Sequence, residues 1–399
     1  MSSRWGGVVE VDAKKVNIAE VARAAGVGTG TVSRVLNESP NVRAATRARV
    51  VEVIEQLGYR PSRLATALSK GTPRSVAIVV PYMTRPSVVE RLAGVIAVLD
   101  EQGYDAVVLN VETAEQRDRH LDSLTERHRV DGVVVVSLPV PARHLAAFQG
   151  SGIPLVLVDA DAPGVVRTVT DDVEGGRLAT AHLVELGHRR IGFVGDLGYE
   201  GIGNASTRQR FLGYTRALAA VGVGVDVDLV RQGAHGAHTA ALLAEQMLRS
   251  PRPPTAIFAI SDTQAIGVLG AADRLGVAVP EELSVVGYDD IESAAFLGLT
   301  TVRQSLARSG EQGAGRLCAL LRGEPVRPRR QQIGLEVVAR SSSARRRASG
   351  RVHRASADDD AGPAGPASEA SGGPADWVTA ARLARRREGD GAEGAVLRA

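Results

Sequence analysis

From Ser75 onward, short apolar runs alternate with longer amphipathic stretches, and this rhythm constrains the fold more than any other feature of the chain. Val76–Val80, Asp105–Leu109, Gly132–Ser137, Leu155–Val158, Ile191–Gly195, Thr255–Ile260 and Ser284–Tyr288 read as strands. Helical spacing fills the intervals, at Val88–Glu101, Gly175–Leu186, Ser206–Ala220, Thr239–Leu248 and Thr263–Leu275. A strand that is apolar throughout must be covered on both faces, and in an alternating pattern that means a parallel sheet between helical layers. There are too many strands for one ordinary sheet, so the expected architecture is α/β with two doubly wound lobes. Aromatic residues make up only 3% of the chain, so Val, Ala and Leu must fill the core.

The pattern is different upstream. Residues 1–16 read as a loose, disordered leader. Residues 17–60 read as a compact all-α unit. Ile18, Val21, Ala22 and Ala25 keep helical spacing, Gly26 breaks it, and Thr31, Val32, Val35 and Leu36 begin a second run. A third run, Ala45–Leu57, is expected to bury Val50, Val53, Ile54 and Leu57 and to stop at Gly58. Residues 61–74 form a further short helical pattern and a linker. The two-lobed region is expected to span 75–343. Beyond it, 344–399 is rich in Ala, Gly, Pro, Ser, Arg and Asp without periodicity, and reads as a disordered low-complexity tail.

Charge is distributed unevenly. Residues 1–74 carry 12 Lys and Arg against 6 Asp and Glu, whereas 75–343 carry 26 against 31. A basic head on an acidic body points to a polyanion as the partner of the head alone. The chain has no apolar run of the roughly 18 residues that a membrane span needs, and no secretory leader is visible. A single cysteine, Cys318, excludes an intramolecular disulfide and a cysteine-rich metal site. A cytoplasmic protein with no cofactor is expected. An enzyme on a doubly wound fold is the competing class. Gly195, Gly198 and Gly201 are wrongly spaced for a dinucleotide loop, and no nucleophile motif, metal-ligand cluster or phosphate loop is present.

Within the head, the run from Ile18 to Asn37 carries the most information. Two helices that cross steeply need a small residue at the contact, which Ala22 supplies, and a turn residue with positive φ, which Gly26 supplies. With Val32 and Val35 turned inward, Thr29, Gly30, Thr31, Ser33, Arg34 and Asn37 are left facing outward.

At this point the chain resembles the LacI-type (lactose-repressor) family of bacterial transcriptional regulators. The matching residues are Asn17–Ala22, Ala25–Val27, Thr31–Asn37 and Leu57–Pro61, and the likeness continues to about Ser343. The resemblance implies a helix-turn-helix head joined by a hinge helix to a two-lobed, periplasmic-binding-protein-like domain. It implies that Thr29, Gly30 and Arg34 face base edges in the major groove, where arginine can pair with guanine O6 and N7, with Gly28 at the cap of the reading helix. Thr31, Ser33 and Asn37 would meet phosphates, with Tyr59 anchoring the backbone. Ser62, Ala65 and Leu68 would lie in the hinge helix, Leu68 wedging into the minor groove; without the family likeness the same segment reads as a flexible linker. A homodimer would read a near-palindromic operator. Gly28 stands where family members often have a capping serine, and Gly30 has no side chain to read a base, so direct readout rests on Arg34 and Thr29.

In the body, the resemblance implies an allosteric site for a small-molecule effector, a sugar or related metabolite, between the lobes. Arg210 and Asp289 match family effector contacts. Tyr82, Ser137, Asp172 and Ser261 are the further candidates, with His235 as a partial substitute for a missing aromatic near Ala234. Asp262 can equally be a helix cap, and Gly287, Asp290, His182 and the Gly187-His188 pair read as structural. A regulator of the repressor type, not an enzyme, is the expected function.

Overall fold

A computed structural model describes residues 16–36, 39–59, 74–126, 130–196, 202 and 205–346. Asn37, Ser62, Ala65 and Leu68, the hinge segment as a whole, the leader and nearly all of the tail lie outside the described residues. The chain divides into two compact units, Met1–Arg74 and Ser75–Ala399.

The first unit contains α1 (Ile18–Ala24), α2 (Thr29–Leu36) and α3 (Ala44–Gln56). A capping box opens α1. The Asn17 side chain accepts from the backbone of Ala19 at 3.0 Å and Glu20 at 3.1 Å, while Glu20 accepts from the Asn17 amide at 2.9 Å. Gly26 takes φ +63° in the turn to α2, the conformation the sequence required of it. Val21, Ala22, Ala25, Val32, Val35, Val50 and Tyr59 form the core. One expectation fails here: Leu57 is 38% exposed. A three-helix unit of this size has room for only a few fully buried side chains, and Tyr59 takes the place expected for Leu57.

The second unit holds twelve strands in two six-stranded sheets among the described residues. The first lobe runs β1 (Ser75–Pro81), α4 (Pro86–Glu101), β2 (Asp105–Val111), α5 (Ala114–Glu126), β3 (Gly132–Val136), α6 (Ala142–Ser151), β4 (Leu155–Val158) and β5 (Val166–Thr170). The second runs α7 (Asp172–Glu185), β6 (Ile191–Asp196), α8 (Ala205–Ala219), β7 (Val230–Gly233), α9 (Ala237–Leu248), β8 (Ala256–Ala259), α10 (Asp262–Arg274), β9 (Ser284–Asp289), α11 (Glu292–Phe296) and β10 (Thr300–Arg303). The chain then returns to the first lobe as α12 (Leu306–Leu321) and β11 (Arg330–Ile333), and ends in the second as β12 (Glu336–Val338).

The strand orders are β11-β5-β4-β3-β1-β2 and β12-β10-β9-β8-β6-β7. All pairings are parallel except β10 with β12. The lobes therefore repeat one topology, each switching direction between its first strand and the strand that follows the crossover. The central apolar strand behaves as read: Val76 to Val80 have no exposed surface. The strand at Asp105–Val111 does not, because it lies at the sheet edge, with Val107 42% exposed. Thr300–Arg303 form β10 inside the second sheet, and the return crossover follows them.

Close helix contacts fix the geometry. A Cβ on Gly213 of α8 would sit 2.1 Å from the Val173 carbonyl oxygen, and one on Gly176 of α7 would sit 2.0 Å from the Arg210 oxygen. Only glycine permits so close an approach. The last described residues are tied to the second lobe: the Arg346 amide donates to Leu186 at 2.8 Å, and His188 Nε2 lies 3.1 Å from the Ala344 oxygen.

Candidate functional site

On α2 the sequence divides the helix cleanly into two faces. Val32 and Val35 are buried, while Gly28, Thr29, Gly30 and Arg34 are exposed and Thr31 and Ser33 half-buried. Gly30 and Arg34 are one helical turn apart, and a Cβ on Gly30 would lie 3.9 Å from Arg34 Nη2. The absent side chain thus leaves the guanidinium lying along an unobstructed helix face. Gly28 opens the helix, its carbonyl accepting from Thr31 at 2.8 Å. Tyr59, expected to anchor a backbone, is only 9% exposed, and its ring belongs to the core of the head.

In the second unit, residues from both lobes enclose a cavity of about 130 Å³. Its walls come from the carboxyl ends of equivalent strands: Tyr82 after β1, Ser137 after β3, Asp159 after β4, Asp196 closing β6, Ser261 after β8 and Asp289 closing β9. Open α/β sheets bind ligands at these ends, beside the switch points. Tyr82, Ser137, Asp159 and Asp289 all have positive φ, at +43°, +49°, +55° and +117°. Non-glycine residues adopt such backbone at a cost of order 1–3 kcal/mol each, so four around one cavity mark a site where geometry is held against local preference.

The polar groups are tightly interlocked. Arg210, on α8, donates through Nε to Asp172 at 2.8 Å and through Nη1 to the Ile260 carbonyl at 2.5 Å, and its guanidinium lies 3.7 Å from the centre of the Tyr288 ring. Burial works against its charge, but Asp172, Tyr288 and Asp289 outweigh burial and keep it cationic. Arg91, on α4, is 3% exposed; its Nη2 donates to Gln304 at 2.6 Å and lies 3.1 Å from Asp159. Gln304 donates in turn to Asp289, so this chain of contacts links the two lobes across the cavity. Burial pushes the Asp289 carboxyl up to about 6, against the pull of Arg210 and Arg91. Asp196 accepts from Gln264 at 2.8 Å and faces His235 Nδ1 at 3.1 Å.

Of the expected body residues, Tyr82, Ser137, Arg210, Ser261 and Asp289 all line this cavity, as does His235. One face of the Tyr82 ring is covered by the Arg85 guanidinium at 4.1 Å, and Ser137 donates to Asp159 at 2.8 Å. Asp172 does not reach the cavity: it stands behind Arg210 and borders an adjoining hollow of about 440 Å³. Asp262 does not cap α10. Ser261 does, accepting from the Gln264 amide at 3.2 Å, while Asp262 is enclosed between Thr301 and the Ile291 amide. Gly287, Asp290, His182 and His188 are structural: a Cβ on Gly287 would strike Asp262, Asp290 pairs with Arg303 and Arg340, and the two histidines meet the C-terminal strand of chain at Ser343 and Ala344. Sequence reasoning missed Arg91, Asp159, Asp196 and Gln304. The signal for Arg91 was a cation inside the apolar stripe Val88, Val95, Leu99 of α4; for the two aspartates it was their place at the end of an apolar strand. Among the described residues no cluster of His, Cys, Asp and Glu could hold a metal ion, and no helix is long and apolar enough to cross a membrane.

Residues 17–62 match the model of bacterial regulatory proteins of the lacI family, and 180–343 match that of a periplasmic binding protein-like domain. The chain is 32% identical over 331 residues to the HTH-type transcriptional repressor PurR of Aliivibrio salmonicida, covering 82% of this chain and 98% of that protein. It is 34% identical over 299 residues to the PurR repressor of Actinobacillus pleuropneumoniae, covering 73% and 87%. A solved structure of the lac repressor dimer bound to operator and the anti-inducer ONPF superposes with a TM-score of 0.70 at 27% identity, covering 83% of this chain and all of that one. The regulator CelR in complex with cellobiose superposes with a TM-score of 0.59 at 31% identity, covering 82% and 100%.

Proposed function

Because the chain belongs to the lacI family of bacterial regulatory proteins, we propose that it is a repressor whose α2 reads a near-palindromic operator as a homodimer, and whose inter-lobe cavity binds the small molecule that controls it. The observation that carries the DNA-binding half is the two-faced α2, with Val32 and Val35 locked into the core and Thr29, Gly30 and Arg34 outward. Arg34 supplies the base contact; Thr31 and Ser33 supply phosphate contacts, and so does Asn37, while Ser62, Ala65 and Leu68 belong to the hinge helix, with Leu68 wedging into the minor groove; these last four lie outside the described residues. Lac repressor bound to operator and CelR bound to cellobiose support this pairing of partners. The relatives are transcriptional repressors, and we infer that this protein is likewise a cytoplasmic regulator without catalytic activity.

The cavity couples to the head because its wall is shared by both lobes. A ligand that binds Arg210 and Asp289 on one side and Arg91 on the other fixes the angle between the lobes, and with it the spacing of the two heads in a dimer. Such coupling is reciprocal, so operator must change effector affinity by the factor that effector changes operator affinity. Footprinting with Arg34→Ala tests the reading: operator discrimination is lost and weak, salt-sensitive binding remains. Unchanged operator preference in that variant refutes it.

A further inference from the structure

Two guanidinium groups face the cavity with hydrogen-bonding capacity that the protein does not fill. Among the described residues Arg91 bonds through Nη2, to Gln304 and Asp159, which leaves Nη1; its Nε is enclosed by protein and out of a ligand's reach. Among the described residues Arg210 bonds through Nε and Nη1, which leaves Nη2. A charged N–H at a cavity wall that meets no protein acceptor favours a ligand that brings one, since leaving it dry and unpaired costs about 1–3 kcal/mol or more. The opposite wall offers acceptors: the carboxyls of Asp196 and Asp289. Each arginine already has its own counter-charge, Arg91 with Asp159 and Arg210 with Asp172. The aromatic rings nearest the cavity each have one face taken by an arginine, Tyr82 by Arg85 and Tyr288 by Arg210.

We propose that the effector is a small polyhydroxylated carboxylic acid, its carboxylate seated between Arg91 and Arg210 and its hydroxyls donating to Asp289 and Asp196. This rests on the reading of the cavity as the effector site. A neutral hydroxyl brings an O–H donor with its acceptor lone pairs, and so adds donors beside guanidinium groups that can only donate. A carboxylate brings acceptors only, and guanidinium groups bind it through paired, charge-assisted hydrogen bonds. Asp289 supports the arrangement: its carboxyl is pushed up to about 6 by burial, so it yields charge readily when an anion enters. The cavity of about 130 Å³ is smaller than the 300 Å³ or more of common ligand pockets, which favours a small ligand.

Isothermal titration of the full-length protein decides the matter. The probes are gluconate, galactonate, glucuronate, galacturonate and glycerate, each beside its neutral counterpart: glucose, galactose, gluconamide or glycerol. At least one acid is expected to bind tenfold or more tightly than its neutral counterpart. Arg91→Gln should remove that preference, while Arg91→Lys retains part of it. A neutral sugar or a nucleobase that binds as tightly as every acid overturns the carboxylate assignment, and so does the absence of binding by any acid. The cavity reading stands or falls separately: it survives if Asp196→Asn, which leaves the Arg210–Asp172 pair intact, weakens whichever ligand binds by tenfold or more with Tm held, and fails if that ligand is unaffected.

Discussion

Replacing Arg210 by methionine isolates the cost of a buried charge. Arg210 and Asp172 are both enclosed, joined at 2.8 Å, and the guanidinium also lies on Tyr288 and holds the Ile260 carbonyl. Arg210→Met keeps much of the side-chain volume but leaves the Asp172 carboxylate without its cation. Breaking one side of a buried pair in this way costs about 3–5 kcal/mol. For a unit of roughly 270 residues, each kcal/mol lowers Tm by about 2–4 °C, so a fall of roughly 6–20 °C is expected. The double variant Arg210→Met, Asp172→Leu removes both charges and should recover most of that loss, because a well-packed apolar pair is often as stable as the ion pair it replaces. Thermal melts of the full chain followed by circular dichroism, analysed as a double-mutant cycle, measure both quantities. A single variant within about 1 kcal/mol of wild type, or a double variant no better than the single, refutes the assignment of Asp172 as the group that holds Arg210.

Two further outcomes follow from packing and burial. Gly213→Ala forces a Cβ to within 2.1 Å of the Val173 oxygen and should destabilise the second lobe by about 1–3 kcal/mol and weaken effector binding, whereas Gly315→Ala, with no atom within 4 Å of its Cβ, should be neutral or slightly stabilising in the same melts. Burial and the neighbouring Asp289 carboxyl push Asp262 up to about 8, so folding takes up a proton there and stability falls as pH rises from about 4 to about 8; urea titrations should show Asp262→Asn flattening that decline above about pH 6, where Asp289 no longer contributes, and an unchanged slope would exclude Asp262 as its source.

The fold was legible where burial on both faces made strands continuously apolar, as at Val76–Val80 and Leu155–Val158. It was not legible at Val230–Gly233 and Arg330–Ile333, short strands rich in Arg and Gln whose place in a sheet is set by tertiary pairing and not by their own pattern. The same limit applied to the site. Arg210 and Asp289 could be read from the family likeness, which also brought in Ser137, and Tyr82 as a partial substitute for missing aromatics. Asp159 and Asp196 occupy equivalent positions but were hidden by their ordinary look as loop aspartates. Gln304 could not be found at all, because its role depends on Arg91, 213 residues away in the chain. The head gave the reverse lesson: helix pattern and turn glycine were plain, yet Tyr59 proved to be a core residue, since a small domain fills its centre with whichever large side chain the backbone brings there.

The most direct measurement is selection of duplexes from a random pool by the full-length protein, with the stoichiometry of the winning complex fixed by analytical ultracentrifugation. The account predicts a two-fold-symmetric sequence bound by two chains, with affinity falling steeply as salt rises. Enrichment of no symmetric site, or binding by a single chain with no preference among duplexes, would contradict it.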